Sequence, residues 1–162
     1  ASVSLPTEEG VTPLMAAAGT GHGANPTRGR YKTDAEAAQC VALLVDAGAE
    51  VNAADPRQRR TALHAAAAHG WAGTVKTLAD HGADLELADS RGLRAIDHAA
   101  GRAERGFLEP EKAPSNETIT LLRELIVART GREPKEYKGP ALPQAGRTNG
   151  SGADRAQLGA PQ

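Results

Sequence analysis

Apolar residues recur along this chain in short blocks at helical spacing, most of them closed by a glycine. The least interrupted block is TALHAAAAHGWAGTVKTLADHGADLELAD, Thr61 to Asp89. Thr61 supplies a capping hydroxyl, small apolar residues run to Gly70, the pattern restarts at Gly73, and Gly82 marks a stop. Two short helices and a turn are predicted, followed by an extended finger.

The frame repeats on both sides. EEGVTPLMAAAGTG places Thr12, Leu14, Ala17 and Gly21 where Thr61, Leu63, Ala66 and Gly70 stand, with Pro13 at the first helical position. RGLRAIDHAAGRA keeps Gly92, Arg94, Ile96, Ala99 and Ala100 in the same frame but loses the Thr and Pro. The second helices CVALLVDAGAEVNAAD and TVKTLADHGADLELAD align Val41 on Val75, Leu44 on Leu78, Gly48 on Gly82 and Asp55 on Asp89. Thr61 to Arg94 is 94 − 61 = 33 and Gly48 to Gly82 is 82 − 48 = 34, so the finger PRQRR carries one extra residue. Thr12 to Thr61 is 61 − 12 = 49, 16 more than 33; the other 15 are expected between Gly21 and Cys40. A second insertion, RAERGFLEPEKAP, precedes SNETITLLRELIVAR, where Ser115 or Asn116 can cap a last helix with Ile119, Leu122 and Ile126 at helical spacing.

A period of 33 with TPLM, TALH and a weakened third copy resembles the ankyrin repeat and its T-P-L-H-x-A signature, from Thr7 to about Gly131. The resemblance implies an all-α ankyrin-repeat solenoid of stacked helix-turn-helix units with β-turn fingers. It assigns residues 1–131 to the array, in repeats of about 7–54, 55–88 and 89–131, with two long inter-helix insertions. Residues 132–162, rich in Pro and Gly and without apolar period, read as an extended or disordered tail. Arg59 stands where the family's finger has glycine. The array opens on a finger with no polar capping repeat before it, so the chain is expected to be the C-terminal part of a longer array or to pack its first repeat on another subunit.

Composition narrows the chemistry. Aromatics are 2% of 162 residues, so the core must be thin and made by closely approaching helices. With 19 basic and 20 acidic residues there is no overall electrostatic case for nucleic acid or an anionic membrane. Cys40, the single cysteine, forms no intrachain disulfide, and within CVALLV it is expected to be buried and inert. No apolar run approaches the roughly 20 residues of a membrane span, and no leader is visible, so a soluble chain is expected. The compartment, cytoplasmic or periplasmic, stays open; the Arg, Ala and Gly bias suits a GC-rich bacterial genome.

No nucleophile and base, metal set or phosphate loop emerges, so no catalytic, cofactor or metal residues are assigned. As the histidine of the family's T-P-L-H motif, His64 is implied by the resemblance to be structural; His69 and His81 are expected to be solvated or contact-forming. His98 and the adjacent Asp97 should diverge on a helix. What the resemblance implies instead is protein binding through finger tips and the concave face of the first helices, which selects Arg57, Gln58, Arg60, His69, Arg91, Leu93 and Arg102. Glu8 and Glu9 make the first finger acidic beside two Arg-bearing fingers, which suits a partner of mixed charge. At the opposite edge, Trp71 with Tyr31 and Phe107 of the insertions forms either a satellite core or an aromatic contact patch. The expected function is a non-enzymatic interaction module for a protein partner or another domain of a longer parent chain. The alternative is a structural or regulatory subunit of an enzyme complex.

Overall fold

A computed structural model describes residues 3, 5–21, 32–101 and 114–135. Within them lie six helices: α1 (Pro13–Ala17), α2 (Asp34–Asp46), α3 (Ala62–His69), α4 (Ala72–Asp80), α5 (Ala95–Ala99) and α6 (Asn116–Thr130). Each odd helix packs on the next even one, α3 lies between α1 and α5, and α4 lies between α2 and α6. Three helical pairs are thus stacked in two layers. Among the described residues the only sheet-like pairing is an isolated antiparallel bridge, Ala88 to Arg94.

Alanine sets the layer spacing. Leu14, Met15 and Leu63 from the first layer meet Val41, Val75, Leu78, Leu122 and Ile126 from the second, and Ala62, Ala66, Ala67 and Ala79 fill the closest approaches. Small residues at these positions let short helices come near enough to bury a few branched side chains completely. Leu78 is wholly excluded from solvent.

The helix starts show how local chemistry fixes the frame. The Met15 amide donates to Thr12 Oγ1, and Thr33 and Glu36 form a reciprocal capping box on α2. Ser115 caps α6, whose end is closed by Gly131 in the left-handed region. Trp71, which precedes α4, contributes no side-chain cap. The missing acceptor comes from the neighbouring repeat: Asp34 Oδ2 accepts from the Gly73 amide and Oδ1 from the Thr74 amide, each at 2.8 Å, and Oδ1 also accepts from the Thr74 hydroxyl at 2.7 Å. One carboxylate therefore serves the N-terminal ends of α2 and α4 together. At the other end of α4 the Arg129 guanidinium donates to the carbonyls of Ala79 and Ala83, a cation placed at a helix C-terminus.

Two expectations change. Cys40 is exposed, because α2 buries only Ala37 and Val41 fully and half-buries Leu44 and Val45, which turns Cys40 and Leu43 outward. An unbroken apolar run on an outer-layer helix does not imply burial all round. Part of the first insertion is also helical: with Val41 aligned on Val75, Ala72 corresponds to position 72 − 34 = 38, whereas α2 already begins at Asp34. That extra turn carries Asp34 to the start of α4. The final helix starts at Asn116 with Ser115 as its cap, and Leu122 and Ile126 are buried and Ile119 half-buried. The remainder of both insertions, and the tail beyond residue 135, lie outside the described residues.

Candidate interaction surface

Each finger is tied by one side chain at its base. In the first, Thr7 Oγ1 accepts from the Val11 amide. In the third, Asp89 Oδ1 accepts from the amides of Arg91 (2.8 Å) and Leu93 (3.0 Å). In the second, Asp55 Oδ1 accepts from Arg57 (3.0 Å) and Gln58 (2.6 Å) while Oδ2 accepts from Arg60 (2.8 Å). Side-chain oxygens satisfying the amides two to five residues on make each tip a defined loop.

The extra residue of the second finger has a clear outcome. The third finger closes with the Gly92 amide on the Asp89 carbonyl, three residues apart, whereas the second closes with the Arg59 amide on the Asp55 carbonyl, four apart. The wider turn places Arg59 at φ +54°, alone among described non-glycine residues in taking a positive φ. Fingers also touch one another. The Ser90 amide donates to the Gln58 carbonyl, and a Cβ on Gly10 would lie 2.2 Å from Pro56 Cδ.

Behind the second and third fingers is a buried polar cluster. The Thr61 amide donates to His64 Nδ1 (3.1 Å), which fixes the proton on Nε2, and Nε2 donates to the Leu93 carbonyl (3.2 Å). In the third repeat Asp97 takes over this task, accepting from the Arg94 amide at 3.0 Å. Arg94 is drawn down between Asp97 (3.4 Å) and Glu86 (3.5 Å) and also donates to the Lys135 carbonyl. His98, edge-on to His64 with ring centres 5.1 Å apart, bonds Asp89 Oδ2 at 3.1 Å. Neighbouring Asp97 and His98 thus face different partners, as their adjacent positions on a helix require.

Electrostatics follow from this burial. Loss of solvation lowers the His64 pKa despite the nearby Asp89 and the backbone carbonyls. The same burial, reinforced by His64 and Arg60, brings His98 down to about 4. Burial alone would raise Asp89, but the Leu93 and Arg91 amides and His98 hold it below the usual carboxylate range. At neutral pH the cluster is an anionic Asp89 that accepts from neutral His98 and from two backbone amides, with neutral His64 packed edge-on to His98. It is a support for the fingers.

The residues selected from the sequence divide accordingly. Arg57 and Gln58 are exposed at the second tip, and Arg60 and Arg91 are partly buried, each with a guanidinium nitrogen 3.7 Å from Asp89 Oδ2. Leu93 is 1% exposed and is removed from the contact surface: its amide is bound to Asp89 and its side chain belongs to the core. His69 stacks on Trp71, ring centres 4.6 Å apart, and donates from Nε2 to the Gly19 carbonyl at 2.9 Å. Both are half-buried between the first and second repeats. Tyr31, Phe107 and Arg102 lie outside the described residues. The anchoring roles of Asp34, Asp55 and Asp89 were not expected from the sequence, although an Asp followed by a turn-rich pentapeptide, as in DPRQRR and DSRGLR, is a readable signal for the two finger anchors.

Among the described residues no three His, Cys, Asp or Glu side chains are grouped to hold a metal ion, and no helix is long and apolar enough to cross a membrane. A family model described as ankyrin repeats (3 copies) matches residues 33–108, and one described as ankyrin repeat matches residues 9–56. No curated protein matches the chain.

Proposed function

Because the chain belongs to the ankyrin-repeat family, whose arrays are generally non-enzymatic protein–protein interaction modules, we propose that it binds a protein partner through its row of finger tips and the adjoining ends of the first helices. The observation that carries this reading is the way each tip is held. Asp55 and Asp89 spend their oxygens on backbone amides, the Ser90 amide locks finger three to finger two, and the exposed side chains Arg57, Gln58 and Arg59 project from a loop already fixed. A preorganised tip loses little conformational entropy on binding. The partner is a separate protein or another domain of a longer parent chain.

A photo-crosslinking residue in place of Gln58 tests the reading in an extract of the native source. Capture of a defined protein at Gln58, and not from a control position on exposed Lys76 of α4, supports it. Equal capture from both positions, or from neither, counts against it.

A further inference from the structure

The second finger holds more positive charge than the nearby carboxylates neutralise. Three arginines, Arg57, Arg59 and Arg60, stand beside two acids, Asp55 and Asp89, whose oxygens are turned onto the backbone amides of their own loops. Asp55 is taken up by three backbone amides of its own loop. Asp89 accepts from two amides and His98, and its Oδ2 lies 3.7 Å from both the Arg60 and Arg91 guanidinium groups. Arg60 Nε is shielded from solvent and makes no hydrogen bond. Glu86 pairs with Arg94 instead. Arg57 and Arg59 have no ion pair among the described residues and are exposed.

Arg59 adds an observation independent of charge. It holds a left-handed backbone at φ +54°, a conformation that disfavours a residue with a Cβ and suits glycine, while the third finger has Gly92 at φ +79° at its turn. An arginine at such a position is a local strain on an exposed tip, the kind of outlier that points to use.

Resting on the finger row as the partner surface, the geometry points to an acidic peptide segment of that partner, its carboxylates held by Arg57 and Arg59 at the tip with Arg60 beneath. Guanidinium groups suit this because their planar donors match carboxylates in pairs. The first finger fixes polarity: Glu8 and Glu9 are exposed one finger away, on a loop whose Gly10 abuts Pro56, so the acidic segment ends or changes sign there.

The test uses the whole chain and a fluorescein-labelled peptide of twelve glutamates, read by anisotropy, with a twelve-residue glutamine peptide and an oligo-dT of similar length as rivals. The glutamate peptide should bind more tightly than either, and weaken as salt rises through physiological strength, where the screening length is about 8 Å. Arg57→Glu with Arg59→Glu should reduce affinity about tenfold, as expected from two exposed ion pairs lost and reversed. Arg59→Gly is the decisive variant: it should weaken the peptide while leaving the melting temperature unchanged or higher, since the tip relaxes. Glutamate binding that is absent, insensitive to these variants, or weaker than oligo-dT overturns the inference. If a crosslink at Gln58 captures a partner whose bound segment is not acidic, the acidic specificity fails and the finger-row reading stands; if nothing is captured there, both fail.

Discussion

Asp34→Ala is the perturbation that most directly tests how these repeats hold together. The carboxylate accepts three hydrogen bonds from the start of α4, all between 2.7 and 2.8 Å. Removing a helix cap costs about 0.5–2 kcal/mol, and a hydrogen bond to a charged group contributes about 1.5–3 kcal/mol. The Gly73 amide is exposed and regains water, whereas Thr74 is fully buried and its amide does not. The Thr74 hydroxyl keeps one acceptor, the Asp34 carbonyl at 3.2 Å. The sum is a loss of about 2–3 kcal/mol for Asp34→Ala and about 1 kcal/mol for Asp34→Asn, which retains an oxygen but not the charge. Urea unfolding followed by far-UV circular dichroism measures both. A Thr74→Val partner variant closes a double-mutant cycle, with an expected coupling of about 1 kcal/mol because the two residues touch. The m-value should fall if the first repeat now opens separately from the other two. A change below about 0.5 kcal/mol for Asp34→Ala, or no coupling to Thr74, refutes the cross-repeat cap.

Other outcomes follow from the same geometry. Leu78→Ala, at a site with no solvent exposure on α4, which packs between α2 and α6, should cost about 2–5 kcal/mol in urea unfolding; under about 1 kcal/mol would mean that the site collapses or is not central. Gly10→Ala should lower the melting temperature, since φ is +83° and a Cβ would meet Pro56 Cδ at 2.2 Å, costing about 1–2 kcal/mol from the backbone alone. Acid should destabilise the chain in two stages. His64 and His98 have folded pKa values below the ordinary 6.5, so the unfolded state binds more protons as pH falls below 6.5, and stability declines toward about 4, where His98 itself titrates. Asp89, depressed from 3.8, contributes stability above that value and loses it at still lower pH. Melting curves from pH 7.5 to 2 follow both, and a flat melting temperature between 6.5 and 4.5 would contradict the buried neutral imidazoles.

The sequence determined the repeat. Helical spacing of Leu14, Leu63 and Ile96, the Thr12 and Thr61 caps, and the glycines after α2 and α4 are local rules, and they suffice to place helical pairs and to count three of them. His64 was readable as structural through the resemblance, as the histidine of TALH, and its amide partner Thr61 is three residues away. Arg59 was legible as a departure because a glycine position is a backbone requirement written in a single residue.

Tertiary structure decided what depends on neighbours far along the chain. Asp34 is 40 residues from Thr74, and nothing near either says that one caps the helix of the other. Cys40 and Leu43 sit in an apolar run, yet burial is decided by which side of α2 meets α1 and α4. Leu93 looks like a finger residue until Asp89 pins its amide and folds its side chain into the core. The charge of the fingers was countable from sequence, but the turn of Asp55 and Asp89 onto their own loop amides, which leaves Arg57 and Arg59 exposed, arises only when the loops close.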